Sequence, residues 1–143
     1  PAIDEELVCV TENDACCVDA IQCLLGCTYG KANLIPRLRG KMAFTFFVRD
    51  ENSSAAKAVR LFLKPEAGEG MSRDEYQNYL LNTPYTELFE VLEPRIALPE
   101  PARHFASEHC SVCGEYTAEY GLRLQDGKPV CLDCYSAYER EGF

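Results

Sequence analysis

Two pairs of closely spaced cysteines near the C-terminus constrain this chain more than any other feature of its sequence. Two residues separate Cys110 from Cys113 and Cys131 from Cys134, and seventeen residues lie between the pairs. With this spacing, four thiolates can surround a zinc ion as a tetrahedron, at roughly 2.3 Å from the metal. Because four protein ligands leave no open coordination position, the predicted zinc site is structural rather than catalytic.

The residues around these cysteines predict a small module held together by the metal. Asp126 and Gly127 are a hairpin-turn signal between two short segments, residues 121–125 and 128–130. A helix over residues 132–141 is expected to begin at the second cysteine pair, which makes the module treble-clef-like. The alternative, a redox dithiol, fits less well because a thioredoxin-like motif has a single C-x-x-C.

Composition and charge argue against several classes of function. The 143 residues include 23 acidic and 14 basic side chains, and the net charge of −9 disfavours binding to nucleic acid or to an anionic membrane. No apolar run is long enough to span a bilayer and no signal peptide opens the chain, so we expect a cytoplasmic protein. Nine cysteines, an odd number in two clusters, suit metal binding in a reducing compartment better than a disulfide scaffold.

The first part of the chain, residues 1–98, shows the pattern of an α+β domain with a mixed sheet and helices. Prolines then mark a stiff connection to the zinc module of residues 99–143. The first elements predicted in this domain are a strand at 7–11 and a helix at 15–25 that ends at Gly26. Antiparallel strands at 42–49 and 58–64 follow, joined by a turn at 50–54. A helix is then predicted after the capping box of Ser72 and Glu75, and a short strand within 88–98.

The predicted helix of residues 15–25 carries cysteines on two stripes. One face is apolar and contains Cys17, Ile21, Leu24 and Leu25. A second stripe, spaced i, i+4, i+7 and i+11, contains Cys16, Ala20, Cys23 and Cys27. Because a free cysteine is most often a small buried hydrophobic residue, we expect that role for Cys9, Cys17 and Cys23.

Several segments in a fixed order carry a family resemblance. They are Asn13-Asp14-Ala15-Cys16, Val18-Asp19-Ala20-Ile21-Gln22, Gly26-Cys27-Thr28 followed by Gly30-Lys31 and Asn33-Leu34, and Gly40-Lys41 followed by Ala43-Phe44. Together they resemble the FmdE-like family of formylmethanofuran dehydrogenase proteins, whose members commonly carry a C-terminal four-cysteine finger like the one above. That finger resembles the DksA/TraR type. The resemblance implies an α+β domain, often dimeric, with a metal near cysteines, and a link to molybdenum- or tungsten-dependent formylmethanofuran chemistry.

Histidines are where this chain departs from the family pattern. Family members usually begin with a segment of the H-G-H-x-C type, and none precedes Pro1. The two histidines, His104 and His109, lie beside the zinc-binding cysteines, and we expect both to be surface residues because the four-cysteine set is complete. A second metal ion in the N-terminal domain would therefore need ligands from a partner protomer or from an upstream segment.

Two groups of residues are candidates for a further site. The resemblance makes Cys16 and Cys27 candidates for a second metal or reactive site, and the alternative is that both are inert buried thiols. The densest basic cluster of the acidic chain is a candidate for binding an anionic ligand or cofactor group, the alternative being a solvated loop balanced by acidic neighbours. It consists of Lys31, Arg37, Arg39 and Lys41.

These observations favour an accessory metal-binding protein that resembles the FmdE proteins of formylmethanofuran dehydrogenase, forms a homodimer and is a protein partner of a molybdenum or tungsten enzyme. Bulky apolar residues on both strand faces also favour the homodimer: Phe44, Phe46, Phe47 and Phe62. The alternative is a small thiol- or metal-dependent enzyme that uses Cys16, Cys27 and Lys31. A zinc-finger regulator that contacts nucleic acid is least favoured, because the zinc module is itself acidic. The sequence does not decide whether the chain is an enzyme.

Overall fold

A computed structural model describes residues 1–50, 52, 55–66 and 68–138. The predicted turn at 50–54 and the end of the predicted helix at 132–141 lie partly outside the described residues. The chain divides into two compact units, Pro1–Pro101 and Ala102–Phe143. Within the described ranges, no helix combines the length and the apolar character needed to cross a bilayer.

A five-stranded mixed sheet forms the centre of the first unit, and the predicted α+β class is confirmed. Its strands are β1 (Leu7–Thr11), β2 (Leu34–Pro36), β3 (Ala43–Arg49), β4 (Ala55–Leu63) and β5 (Phe89–Leu92). They are ordered β2-β1-β3-β4-β5, with β1 and β2 parallel and the other neighbours antiparallel. Strand β2 was not predicted, because three residues that end at a proline are too few to show an alternating pattern.

Side chains alternate between the two faces of this sheet and form two separate buried clusters. On one face, which we call the helix face, the buried residues are Cys9, Cys27, Leu34 and Phe44. On the opposite face they are Val8, Val10 and Phe47, covered by Ile96 and Leu98. The segment that follows β5 therefore covers one face, while the helical segment between β1 and β2 covers the other.

The predicted helix of residues 15–25 is present but widens halfway. An α-helical turn, α1 (Cys17–Ala20), continues into a π-helical segment, Ile21–Leu25, and Gly26 then adopts a left-handed conformation with φ of 71°. The wider π turn rotates the side chains that follow it relative to an α-helix. The predicted apolar face is consequently wrong at Leu24, which is 70% exposed, while Val18 packs against the core.

The capping box predicted for the second helix is confirmed. Helix α2 (Arg73–Asn82) begins after Ser72, whose Oγ accepts a hydrogen bond from the N–H of Glu75 at 3.4 Å. The carboxylate of Glu75 accepts one from the N–H of Ser72 at 2.8 Å in return. A short helix, α3 (Tyr85–Leu88), follows and leads directly into β5.

The largest side chain buried in the described part of the chain is charged. Arg60 of β4 is 1% exposed, and its Nε and Nη2 donate hydrogen bonds to the two carboxylate oxygens of Glu12 at 2.7 and 3.0 Å. This hydrogen bonding holds the pKa of Glu12 below its usual value. In such a pair, the loss of one partner leaves the other charge buried and uncompensated.

The second unit contains two short antiparallel hairpins. Their strands are β6 (Ser107–His109) with β7 (Tyr116–Ala118), and β8 (Leu122–Gln125) with β9 (Lys128–Cys131). Asp126 and Gly127 connect β8 to β9 with φ values of 51° and 75°. Positive φ at both central residues is the requirement of a type I′ turn, so the hairpin predicted from this dipeptide is confirmed.

The helix predicted over residues 132–141 is absent from the described part of that range. The N–H of Tyr135 donates to the carbonyl of Cys131 at 2.8 Å, which closes one helix-like turn. The N–H of Ser136 then donates to Oε1 of Gln125 at 2.9 Å instead of to a carbonyl one turn earlier. Because the side chain of Gln125 takes the place of the next helical acceptor, the turn does not continue. Residues 139–141 lie outside the described residues.

Substitution of Glu12 by glutamine tests the buried ion pair. We expect Glu12→Gln to lower the free energy of unfolding at neutral pH by about 3–5 kcal/mol, because Arg60 keeps its charge. Since the folded-state pKa of Glu12 is depressed, its contribution is present above the unfolded value and is lost as pH falls through the folded value. Denaturant unfolding of both proteins at neutral and at acidic pH measures this difference.

The matched control for this prediction is Glu93→Gln, which removes an exposed carboxylate just after β5. A loss in Glu12→Gln no larger than the loss in the control would contradict the stabilising role of the pair. A difference between Glu12→Gln and wild type that stays constant as the pH falls through the folded pKa of Glu12 would contradict its electrostatic origin.

Candidate functional site

The four cysteines predicted to bind zinc converge in the second unit. Their sulfur atoms all lie within 4.8 Å of one another, and the sulfurs of Cys113 and Cys131 are 3.9 Å apart. Zinc–sulfur bonds of about 2.3 Å in a tetrahedron place sulfurs about 3.8 Å apart, whereas a disulfide bond measures about 2.05 Å. The donor set therefore fits a tetrahedral zinc ion. Among the described residues, no other group of three or more His, Cys, Asp or Glu side chains is close enough to hold a metal.

Backbone N–H groups stabilise the thiolate form of one of these cysteines. The N–H groups of Val112 and Cys131 donate to Sγ of Cys110 at 3.4 and 3.3 Å. The hydrogen bond from Cys131 is the main cause that lowers the pKa of Cys110 to about 6. The thiolate is the form that binds metal. Gly114, with φ of 77°, reverses the chain after the first pair, a conformation that a residue with a Cβ adopts only with strain.

Both histidines are exposed, as predicted, and neither belongs to the four-sulfur group. Nδ1 of His109 lies 2.8 Å from the carbonyl oxygen of Gly114, and its ring centroid is 3.9 Å from that of Tyr116. His109 therefore packs against the outside of the first cysteine turn.

Cys16 and Cys27 lie in different surroundings. Cys27 is fully buried beneath the sheet, and its Sγ is 3.6 Å from the carbonyl oxygen of Leu7. Burial raises the pKa of Cys27, and the nearby charge of Lys31 opposes that shift only in part. Cys16 is exposed at the start of α1. The contacts of these two cysteines therefore do not join them in one site, and their role as metal ligands or reactive thiols stays a prediction.

The Cys16 side chain contributes to an apolar cavity of 300 Å³ on the helix face. Residues of α2 and of β3, β4 and β5 form most of its wall. The lining residues include Cys17, Met42, Phe44, Tyr76, Leu80 and Phe89. The sequence did not predict this cavity, because its wall combines segments that lie far apart along the chain.

The predicted basic cluster is divided in the structure. The backbone N–H of Arg37 donates to the carbonyl of Thr11, and those of Arg39 and Lys41 donate to the carbonyl of Glu12. The charges of Lys41 and Arg37 also contribute to lowering the pKa of the Glu12 carboxyl. Lys31 instead donates from Nζ to the carbonyl of Ala2, at 2.8 Å. Three of the four basic residues are thus hydrogen-bonded through their backbone to the end of β1, at Thr11 and Glu12. The fourth, Lys31, is hydrogen-bonded to the N-terminal segment.

Two asparagines of the motif segments have structural roles. Asn33 is fully buried, and its Nδ2 donates to the carbonyls of Asp4, Leu7 and Gly26, while its Oδ1 accepts from the N–H of Thr28. Asn13 similarly joins two segments: its Nδ2 donates to the carbonyl of Lys41 at 3.0 Å, and its Oδ1 accepts from the N–H of Ala15 at 3.1 Å. These motif residues therefore hold loops in place.

The Glu12–Arg60 pair was not predicted, although each residue left a trace in the sequence. Arg60 lies between the apolar residues Val59 and Leu61 of β4, and Glu12 directly follows β1. A charged residue inside an apolar run indicates a buried partner. Because 48 positions separate the two residues, only the sheet order shows that each is the partner of the other.

The fold and the four-cysteine centre define a mixed-sheet α+β domain followed by a zinc-finger module. The family model described as "FmdE, Molybdenum formylmethanofuran dehydrogenase operon" matches residues 1–93, and the prokaryotic DksA/TraR C4-type zinc finger matches residues 105–140. The chain belongs to the FmdE family and carries a DksA/TraR-type finger, which confirms the resemblance stated above. The finger family and the sulfur geometry both indicate a structural zinc.

Two individual proteins are similar to most of this chain. A crystal structure of a tungsten formylmethanofuran dehydrogenase FmdE-like protein from Syntrophus aciditrophicus matches 90% of this chain and 70% of that chain, with a TM-score of 0.58 and 22% identity. This likeness shows the fold. A "Probable S-adenosyl-L-methionine-binding protein" from Archaeoglobus fulgidus is 27% identical over 161 aligned positions, which cover 96% of this chain. The chain spans 43% of the length of that relative.

Loss of one zinc ligand should remove the metal and unfold the module around it. We expect Cys131→Ser to lose one zinc per chain, because binding at such sites contributes on the order of 10–16 kcal/mol of apparent free energy to folding. Elemental analysis measures the zinc, and limited proteolysis should show cleavage after about residue 101, with the first unit intact.

Cys23→Ser provides the matched control, because Cys23 lies outside the four-sulfur group and is exposed, so the burial expected for it from the sequence was wrong. This variant should keep its zinc and its resistance to protease. Full retention of zinc in Cys131→Ser would contradict the assignment of the site.

Proposed function

We propose that this chain is an accessory metal-binding protein of a molybdenum or tungsten formylmethanofuran dehydrogenase-type system in the cytoplasm, and that it acts by docking to the enzyme rather than by catalysis. The observation that carries the proposal is the family match over residues 1–93 together with a closed four-sulfur centre in the second unit. A four-cysteine zinc site offers no open coordination position for a substrate. The alternative, a thiol enzyme that uses Cys16, Cys27 and Lys31, has less support because their contacts do not form a common site.

The experiment for this function measures association with purified formylmethanofuran dehydrogenase. We expect the zinc-loaded chain to bind the immobilised enzyme saturably, and biolayer interferometry would measure the affinity. An unrelated protein of similar size and net charge serves as the control, because long-range attraction alone acts on any acidic protein. Binding no stronger than that of the control would reject the link to the dehydrogenase while leaving the family and the zinc centre unaffected.

A second metal ion in the first unit also belongs to this proposal. Cys27 lies near the start of the chain, since a Cβ built on the preceding Gly26 would lie 2.7 Å from the carbonyl oxygen of Ala2. Ligands from a partner protomer or from an upstream segment would complete a site there. In the elemental analysis above, such an ion would remain in Cys131→Ser and disappear in Cys27→Ser. A wild-type protein with zinc at one equivalent and no other metal would count against it.

The homodimer is proposed on the exposed end of the helix face. Phe44 and Phe47 are buried within the chain and do not contribute to an interface, whereas Val48 and Val91 are 41% and 56% exposed. The register of β3, β4 and β5 puts Val48, Val59 and Val91 on the same face of the sheet. An apolar surface of this kind is typical of contact between copies of a chain.

Substitutions on this surface test the homodimer. We expect sedimentation equilibrium to give a dimer for the wild type at micromolar concentration and a monomer for Val48→Glu combined with Val91→Glu, because two buried charges would face each other across the interface. Leu24→Glu is the matched control, since Leu24 is 70% exposed on the π-helical segment. A monomeric wild type would reject the homodimer.

A further inference from the structure

A small cleft with a positive lining lies on the opposite face of the sheet, at the edge formed by β4 and β5. Its volume is 190 Å³, and its wall consists of Lys41, Arg60, Phe62, Glu90, Leu92 and Arg95. All of its lining residues belong to the first unit, whereas the four-cysteine centre belongs to the second. Of the four basic residues that the sequence grouped together, Lys41 alone is among those that line this cleft.

The sheet register explains why these side chains meet. Arg60 pairs with Leu92, and Phe62 pairs with Glu90, so two neighbouring cross-strand pairs project from the same face. The guanidinium of Arg60 lies 5.8 Å from the centre of the Phe62 ring. The N–H of Lys41 donates to the carbonyl of Glu12 at 3.3 Å, and Lys41 is among the residues that line the cleft. The cleft is therefore built on two strands, with Lys41 contributed by the segment before β3 and Arg95 by the segment after β5.

Arg60 offers the cleft a hydrogen-bond donor at the end of a largely buried side chain. Its Nε and Nη2 are occupied by Glu12, but within the described part of the chain Nη1 has no protein acceptor. The side chain as a whole is 1% exposed, so this donor is fixed in position and partly shielded from water. A hydrogen bond from a fixed guanidinium to a charged oxygen is among the stronger polar contacts in proteins.

The charges of the cleft favour an anion. Lys41, Arg60 and Arg95 contribute three positive charges, and Glu90 and the paired Glu12 contribute two negative charges, which leaves one positive charge. Phe62 and Leu92 supply an apolar wall beside this charge. Because a water molecule occupies about 30 Å³ of liquid, 190 Å³ corresponds to about six waters, the size of a small organic acid or a phosphate ester fragment.

We propose that this cleft binds a small oxyanion, a carboxylate or phosphate group whose oxygens contact Arg60, Lys41 and Arg95 while its apolar part packs on Phe62 and Leu92. The proposal is independent of the link to the dehydrogenase, because it depends only on the side chains that line the cleft. The exposed Lys41 and Arg95 provide attraction, and the buried Arg60 provides a fixed point of contact.

The test is a titration of the zinc-loaded full chain with inorganic phosphate and, separately, with benzoate, followed by NMR chemical shifts of the backbone amides. We expect saturable shifts at residues of β4 and β5 at millimolar concentrations. Lys41→Gln combined with Arg95→Gln should weaken binding by about tenfold, which corresponds to about 1.4 kcal/mol. Arg60 itself is left unchanged because its substitution would break the buried ion pair.

Lys57→Gln is the matched control, because Lys57 is an exposed lysine of β4 that lines a different depression. It should bind both probes as the wild type does. A preference for phosphate would identify a phosphate ester as the ligand class, and a preference for benzoate would identify a carboxylate with a flat apolar part. The absence of saturable shifts with both probes, or equal weakening in the control variant, would overturn the proposal.

Discussion

The ion pair between Glu12 and Arg60 is the interaction on which the arrangement of the first unit depends. The carboxylate of Glu12 accepts hydrogen bonds from Arg60, and its N–H donates to the carbonyl of Ala43. Its own carbonyl accepts from the N–H groups of Arg39 and Lys41. One residue thereby connects the end of β1 to β3, to β4 and to the segment between β2 and β3. A well-packed apolar pair would often be as stable, but it would not provide directional bonds to so many neighbours. The pair therefore contributes specificity of arrangement as well as free energy.

Buried polar groups replace part of the apolar core in this unit. Asn33 holds three carbonyls from separate segments, and Asn13 fastens the loop before β3 to the start of the helical segment. Each of these amides must be satisfied when the unit folds, because a buried amide without partners costs about 1–3 kcal/mol. The same network brings Lys41 to the edge of the oxyanion cleft. The placement of surface charges thus follows from hydrogen bonds made in the interior.

Local patterns predicted the parts of this structure that local physics determines. Alternation indicated β3 and β4, the Ser72 box indicated α2, and two cysteine pairs indicated the four-sulfur centre. The features missed depend on contacts distant in sequence, such as the cleft between β4 and β5. Two predictions failed for local reasons. A π turn exposes Leu24, and a hydrogen bond from the N–H of Ser136 to the side chain of Gln125 ends the turn after Cys131. At Ser136 a side-chain acceptor replaces the α-helical carbonyl, and periodicity does not reveal such competition.

The nine cysteines illustrate why residue type and spacing alone do not define chemistry. Cys110 is buried, yet backbone N–H groups that donate hydrogen bonds to its sulfur lower its pKa to about 6. Cys9 and Cys27 are equally buried, but desolvation dominates and raises the pKa of each thiol. Buried cysteines therefore differ in protonation state according to whether backbone donors that reach the sulfur outweigh desolvation. N–H groups of the two C-x-x-C turns reach the sulfur of Cys110, whereas a strand such as β1 has already used its N–H groups in the sheet. Cys110 is thus favoured as the thiolate that binds metal, and Cys9 and Cys27 are suited to packing.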